Sequence, residues 1–225
     1  MKKLVSAAVV FAASVAPGAS PVVPVAALAA LSALALTPAR AQQVAPDTFV
    51  RQISTEVIDS VKADKGIQGG DVSKILVLVD TKVMPNVNFE VVTRSAVGPK
   101  WREASTEQRT KLQNEFKTLL VRVYAGALTQ IRDQTVEITR SQPVQNSTQV
   151  IVQSEVRGKG EPIKLDYRVD KFNDAWKIID VNVGGIWLVQ SYRSQFAQVL
   201  GGTGGIDALI TRLVEQNKSA AGSKS

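Results

Sequence analysis

The chain has 225 residues, and its 27 lysines and arginines outnumber its 20 aspartates and glutamates. It contains no histidine and no cysteine, which excludes Ser-His-Asp and Cys-His nucleophilic catalysis, disulfides and thiolate metal sites. Carboxylate chemistry remains, but no motif in the chain indicates it. We therefore expect a protein that is not an enzyme.

Residues 1–41 have the pattern of a secretory signal peptide. Lys2 and Lys3 give a positive start, an apolar run from Leu4 to Ala16 follows, and Ala39-Arg40-Ala41 is a typical cleavage pattern. The alternative is an uncleaved membrane anchor, although neither this run nor a second one from Val22 to Leu36 reaches the roughly 18 to 20 apolar residues that a spanning helix needs. We expect export and cleavage after residue 41.

The remaining chain is predicted to form one domain over residues 42–217, followed by a disordered tail over residues 218–225. An exported protein without disulfides is typical of the bacterial periplasm. Three of the cations lie in the leader, so 24 remain against 20 acidic residues. Because export removes most contact with nucleic acid, we expect no nucleic-acid partner, and the modest charge favours acidic proteins or anionic membrane surfaces.

The first half of the domain is predicted to be helical, because its apolar residues recur at steps of three and four. Ser105 and Gln108 form a capping-box pattern at the start of the longest helix. Its apolar stripe extends from Leu112 to Leu128, and Lys117 is placed on its solvent side. Such a wide stripe packs either on the domain's own core or on a bound apolar molecule. The predicted helices span residues 46–64, 71–83, 88–97 and 101–128.

After Arg132 the hydrophobic period changes from 3.6 to 2, which predicts an antiparallel sheet. Four strands are expected around residues 136–139, 149–157, 163–170 and 176–183. The adjacent Ile178 and Ile179 make the register of the fourth strand ambiguous and indicate a bulge. Two further helices are predicted over residues 188–200 and 206–214. This α+β arrangement either packs solid or encloses a cavity, and periodicity does not distinguish the two.

The chain resembles the MlaC family, the periplasmic phospholipid-binding proteins also known as toluene-tolerance proteins. The resemblance follows the family's order from about Phe49 to Leu213. A departure is Gly184-Gly185-Ile186-Trp187, where the family commonly has Glu-Gly and a small hydroxyl residue. The matching segments are NFEVVTRSAVG, WREASTEQRTKLQNEFKTLLVRVYA, LDYRV, WKIIDVNVGG, LVQSYRSQF and GGIDALITRL.

The resemblance implies a soluble periplasmic carrier that shuttles glycerophospholipid and so maintains the lipid asymmetry of the outer membrane. Its implied partners are an outer-membrane lipoprotein complex and the substrate-binding component of an inner-membrane ABC transporter. The implied protein is a monomer. Its implied α+β fold is a curved four-stranded antiparallel sheet cupped by about six helices around an apolar cavity. The cavity would hold acyl chains and leave the headgroup outside, with phospholipid as ligand and no metal or cofactor.

Combining this expectation with the helix and strand patterns predicts which side chains contact lipid. Four cations, Arg94, Lys100, Arg102 and Lys164, are candidates for the mouth, where they would favour a phosphate. The alternative for each is an ordinary solvated cation on the surface. Two alternatives remain open, namely an envelope adaptor with a solid core and an enzyme acting on small apolar compounds. The predicted lipid-binding residues are Leu76, Val79, Val83, Phe89, Val92, Phe116, Leu120, Tyr124, Val150, Val152, Leu165, Tyr167, Val169, Trp176 and Ile178.

Overall fold

A computed structural model describes residues 44–222 and shows helices followed by a sheet and two further helices. The predicted leader therefore lies outside the described residues. Within them the α+β class is confirmed. Seven α-helices are present in this range, one more than the six predicted, because a four-residue helix follows the first. The helices are α1 Pro46–Ala63, α2 Lys65–Gln68, α3 Val72–Leu78, α4 Phe89–Val97, α5 Thr106–Leu128, α6 Leu188–Leu200 and α7 Gly205–Gly222.

Polar side chains begin the helices where the sequence predicts. The Ser105 hydroxyl accepts a hydrogen bond from the backbone N–H of Gln108 at 3.1 Å, and the Gln108 amide oxygen accepts from the N–H of Ser105 at 2.9 Å. The capping box of α5 is thus confirmed. Asp71 caps α3 and Asn88 caps α4, each through a side-chain oxygen that accepts from one or more backbone N–H groups of the first turn. The short helix α2 is capped by Asp64, which accepts from two backbone N–H groups.

The predicted helix over residues 71–83 is not a uniform α-helix. After α3 the chain widens into a π-helical turn, Val79–Val83, and then tightens into a 3-10 turn, Met84–Asn86. Two ion pairs connect the π-helical turn to neighbouring helices, because Asp80 contacts Lys117 of α5 and Lys82 contacts Glu56 of α1. A wide turn of this kind often occurs at functional sites.

The sheet has five strands in the described residues, so the prediction of four is wrong. All neighbours are antiparallel, in the order β1-β2-β3-β4-β5. The additional strand has two residues, too few for an alternating pattern to be visible in the sequence. Gly184 and Gly185 precede it with φ values of 58° and 95°, which glycine adopts without steric cost. The strands are β1 Thr135–Pro143, β2 Val150–Arg157, β3 Ile163–Phe172, β4 Ala175–Val183 and β5 Ile186–Trp187.

The bulge predicted at the paired isoleucines is confirmed. Arg168 of β3 pairs with Asp180 of β4, whereas the next residue, Val169, pairs with Ile178. Ile179 is therefore the extra residue of β4. Because a bulge interrupts the alternation of faces, Ile178 and Ile179 are both buried although they are adjacent.

Three apolar clusters form the core. The first joins α4, α5, α6 and α7 around Phe116, whose ring centroid lies 4.8 Å from Tyr192 and 5.1 Å from Phe196. The second joins α1, α2, α3 and α5. The third packs α1 directly on the sheet through Val50 and Ile53. The clusters leave a space where they meet.

Helix α7 continues to Gly222, so the expected start of the tail at residue 218 lies inside a helix. The alanines at positions 220 and 221 favour this continuation, because alanine has the highest intrinsic helix propensity. None of the helices in the described range combines the length and the apolar character needed to span a bilayer.

Candidate ligand-binding cavity

An apolar cavity of about 420 Å³ lies between the sheet and helices α1, α3, α4 and α5. This volume falls within the roughly 300–1,000 Å³ of typical small-ligand sites. Among the described residues that line the cavity, the polar or charged side chains are Ser54, Lys117, Tyr124, Tyr167 and Asp180. The rest of the wall is hydrocarbon, so the cavity suits an apolar ligand better than water.

The structure places seven of the eight predicted helical residues on the cavity wall. The exception is Leu76, which packs against the cluster of α1, α2, α3 and α5 instead. The apolar stripe of α3 is wider than the part that faces the cavity. The position of Leu76 in this stripe therefore did not show whether it packs on the cavity or on a neighbouring helix. The seven residues on the wall are Val79, Val83, Phe89, Val92, Phe116, Leu120 and Tyr124.

Of the seven predicted strand residues, Leu165, Tyr167 and Ile178 lie on the cavity wall. Strand alternation identified the correct face but not how far along each strand the cavity extends. Helix α1 lies directly on the remaining part of that face. The four residues placed in this packed cluster, away from the cavity, are Val150, Val152, Val169 and Trp176.

Other parts of the wall were not predicted from the sequence. Helix α1 contributes Ile53 and Val57, and β4 contributes Val181 and Val183. The alternation of β4 continues to Val183 and would have indicated the latter pair. Nothing in the sequence showed that α1 faces the same space as α5, because that relation depends on how the helices pack.

The polar groups of the wall are held by the protein itself. The hydroxyls of Ser54 and Tyr167 lie 3.3 Å apart, and burial raises the pKa of Tyr167. Burial also raises the pKa of Tyr124. Neither tyrosine is close to a histidine, because the chain has none. The arrangement can bind a ligand, because these hydroxyls can donate or accept hydrogen bonds.

Asp180 lies at one end of the cavity and joins β4 to the start of α6. Its carboxylate accepts hydrogen bonds from the backbone N–H groups of Val189 at 3.0 Å and Val181 at 2.9 Å. Burial raises the pKa of Asp180, although these two bonds and the nearby Arg168 oppose the shift. The residue before α6, Trp187, does not cap the helix with its side chain. Asp180 supplies this cap instead.

Asp180 also lines a second cleft of about 980 Å³, which has both polar and apolar walls and lies between the sheet and helices α4 and α6. Arg94, Arg168 and Arg193 line this cleft, and the Arg168 guanidinium lies 4.7 Å from the centre of the Trp187 ring. Arg94 was expected at the mouth of the apolar cavity and lies here instead. The other three predicted cations, Lys100, Arg102 and Lys164, line neither space.

The cavity has one cation in its described wall, Lys117, which was predicted to lie on the solvent side of α5. Its ammonium lies 2.7 Å from a carboxylate oxygen of Asp80 in the π-helical turn. Elsewhere in the described chain, acidic side chains do not gather in groups of three that could hold a metal ion.

Fold and cavity together define a class of protein, a helix-covered antiparallel sheet that encloses an apolar binding site. The family model described as MlaC protein matches residues 51–215, which is well over half of the chain. This protein belongs to the MlaC family, and the resemblance seen in the sequence is confirmed.

Individual relatives agree with this assignment. The intermembrane phospholipid transport system binding protein MlaC of Haemophilus influenzae is 24% identical over 175 residues, covering 76% of this chain and 81% of the relative. The toluene tolerance protein ttg2D of Pseudomonas putida is 24% identical over 156 residues, covering 69% and 73%. A phospholipid-binding protein from Ralstonia solanacearum, solved in complex with a phospholipid, is 38% identical with a TM-score of 0.76, covering 79% of this chain and 99% of that structure.

Proposed function

We propose that this protein is a phospholipid carrier whose cavity holds the acyl chains of one lipid. The observation that supports this most directly is the cavity itself, about 420 Å³ with a wall that is almost entirely hydrocarbon. The relative from Ralstonia solanacearum, which has the same fold, binds a phospholipid. The cavity also disfavours the alternative of an adaptor with a solid core.

The physical task of such a carrier is to keep hydrocarbon away from water. Exposure of each methylene costs about 0.8 kcal/mol, so ten of them cost about 8 kcal/mol. A cavity that covers them offsets this cost without any chemical step. Binding alone therefore accounts for the function, and we propose no catalytic activity.

We further propose that the protein works in the periplasm after removal of residues 1–41. It would receive lipid from, or deliver it to, an outer-membrane lipoprotein complex and the substrate-binding component of an inner-membrane ABC transporter. The name of the Haemophilus influenzae relative, an intermembrane phospholipid transport system binding protein, supports this route. The exported protein should begin at Gln42 when its N-terminus is sequenced.

Deletion of the gene from its bacterium tests this role. If the carrier maintains lipid asymmetry, phospholipid should accumulate in the outer leaflet of the outer membrane. Labelling intact cells with an amine-reactive reagent that does not cross the outer membrane measures amine-bearing lipids there. Labelling should increase on deletion and return to the original level when the wild-type gene is restored. Unchanged labelling would contradict the proposed role.

A further inference from the structure

Lys117 is unusual among the described residues of the cavity wall, because it is the one that carries a positive charge. The side chain is 23% exposed, so most of its stem is buried in the cavity wall that Phe116 and Leu120 of α5 also line. Long cationic side chains commonly bury their methylenes and keep the ammonium at the boundary with water. The head of Lys117 therefore marks a place where the apolar cavity meets solvent.

The partner of Lys117 is a group that can be exchanged. Asp80 approaches the ammonium at 2.7 Å, but its own side chain is 50% exposed and can be solvated without Lys117. A solvent-exposed ion pair contributes little free energy, typically about 0–1 kcal/mol. A ligand with a suitable anion can therefore compete with Asp80 for the ammonium.

A phosphodiester next to a hydrocarbon chain fits this position. When acyl chains occupy an apolar cavity, the phosphate that follows the glycerol must lie at the boundary between the cavity and water. A lysine ammonium at that boundary can donate charge-assisted hydrogen bonds to the phosphate oxygens. The four cations expected from the sequence do not line the cavity, so they do not offer this combination.

We propose that Lys117 is the phosphodiester-binding residue of the cavity, and that its ammonium exchanges Asp80 for the phosphate when lipid enters. This inference rests on the proposed carrier function and adds to it a determinant of headgroup chemistry. It makes the cavity selective for phospholipid over neutral diacylglycerol with the same chains. Binding requires both the phosphate contact with Lys117 and the burial of acyl chains in the cavity. Free phosphate, which has no acyl chains, is therefore not a ligand.

The test compares binding of two lipids that differ in the phosphate. Lipid-free wild-type protein and the Lys117→Met variant are titrated with dioctanoyl phosphatidylglycerol and with dioctanoylglycerol. Methionine keeps an unbranched, apolar stem and removes the charge. Because hydrogen bonds to charged groups contribute more than neutral ones, we expect the variant to bind phosphatidylglycerol about tenfold more weakly or worse. Its affinity for dioctanoylglycerol should stay within about twofold of wild type.

Two further variants control for general effects. Lys111→Met removes another lysine of α5, which is 60% exposed, pairs with Glu107 and does not line the cavity; it should bind both lipids as wild type does. Asp80→Asn removes the competing carboxylate, so its affinity for phosphatidylglycerol should exceed that of wild type. This second variant tests the exchange even if Lys117→Met does not fold.

The outcomes separate this inference from the proposed function. An equal loss for both lipids in Lys117→Met, or no loss for either, would overturn the role of Lys117 and leave the carrier intact. Phosphatidylglycerol binding in Asp80→Asn that is equal to or weaker than that of wild type would overturn the exchange. Inorganic phosphate that competes with phosphatidylglycerol at millimolar concentration would show a free-phosphate site instead. Wild-type protein that binds neither lipid would overturn the carrier function and this inference together.

Discussion

The hydroxyl groups of Ser54 and Tyr167 lie 3.3 Å apart and connect helix α1 to strand β3 at the wall of the cavity. Both residues line an interior that is otherwise almost entirely hydrocarbon. Burial raises the pKa of Tyr167, so its hydroxyl stays neutral and able to donate or accept at physiological pH. The hydroxyl pair therefore connects α1 to the sheet at the cavity, where the two elements are not in apolar contact.

Tyr167→Phe should lower the free energy of unfolding by about 1–2 kcal/mol, because Ser54 is buried and loses its partner. Urea unfolding measures the change. Tyr124→Phe is the matched control, since Tyr124 also lines the cavity but has no hydrogen-bond partner among the described residues. Equal loss in both variants would show that the hydroxyl pair does not contribute specifically.

Val79→Trp should reduce the amount of lipid that co-purifies with the protein, because the larger side chain occupies part of the cavity. Val77→Trp is the control, since Val77 is two residues away, 63% exposed and off the cavity wall. Extraction with organic solvent and mass spectrometry of the lipid measure the occupancy. Full occupancy in Val79→Trp, with the fold retained by circular dichroism, would place Val79 outside the binding site.

Phe116→Ala should lower the free energy of unfolding by about 3–5 kcal/mol, the usual cost of removing a buried aromatic ring. Phe116 is nearly inaccessible and contacts the rings of Tyr192 and Phe196. The control is Val123→Ala, on the exposed side of the same helix, which should change the free energy of unfolding by less than about 0.5 kcal/mol. Chemical denaturation that finds the two variants equally stable would contradict the central position of Phe116.

Asp180 and Asp64 should affect stability with opposite dependence on pH. Burial raises the pKa of Asp180, so its contribution is present below the ordinary aspartate value of about 3.9 and is lost as pH rises through the folded-state pKa. The hydrogen bond from Lys74 lowers the pKa of Asp64, so its contribution is present above that value and is lost as pH falls.

Urea unfolding of Asp180→Asn and Asp64→Asn between pH 3.5 and 7 measures these contributions. The stability of wild type relative to Asp180→Asn should fall as pH rises, whereas its stability relative to Asp64→Asn should rise. Asparagine keeps an oxygen that can accept the same backbone hydrogen bonds, so the comparison isolates the charge. Parallel slopes for the two variants would contradict the assigned pKa directions.

The local elements were predictable because their signals are local. Ser105 and Gln108 belong to one turn, and the capping box that they form requires only their spacing. Adjacent Ile178 and Ile179 broke the alternation of β4 and so marked the bulge. The two-residue strand β5 gave no such signal, because pairing of Ile186 with Val183 depends on a turn rather than on a pattern.

The site was predictable only in part, because a cavity depends on distances between elements. Strand alternation placed Tyr167 and Val169 on the same face of the sheet. Helix α1 covers Val169, whereas Tyr167 lies on the cavity wall. Helical periodicity placed Lys117 in solvent, since it cannot show that the π-helical turn folds over this side of α5. For a long side chain at the edge of an apolar stripe, the sequence alone does not show whether it lies in solvent or against a neighbouring element.

Native mass spectrometry of the protein, purified from the bacterial envelope without added detergent, is the sharpest test of whether it carries a phospholipid. The carrier account predicts a species whose mass exceeds that of the chain by one phospholipid, and whose extra mass is removed by organic solvent. It also predicts a reduced share of this species in Val79→Trp. A bare protein mass throughout, with no phospholipid in the solvent extract, would contradict the account.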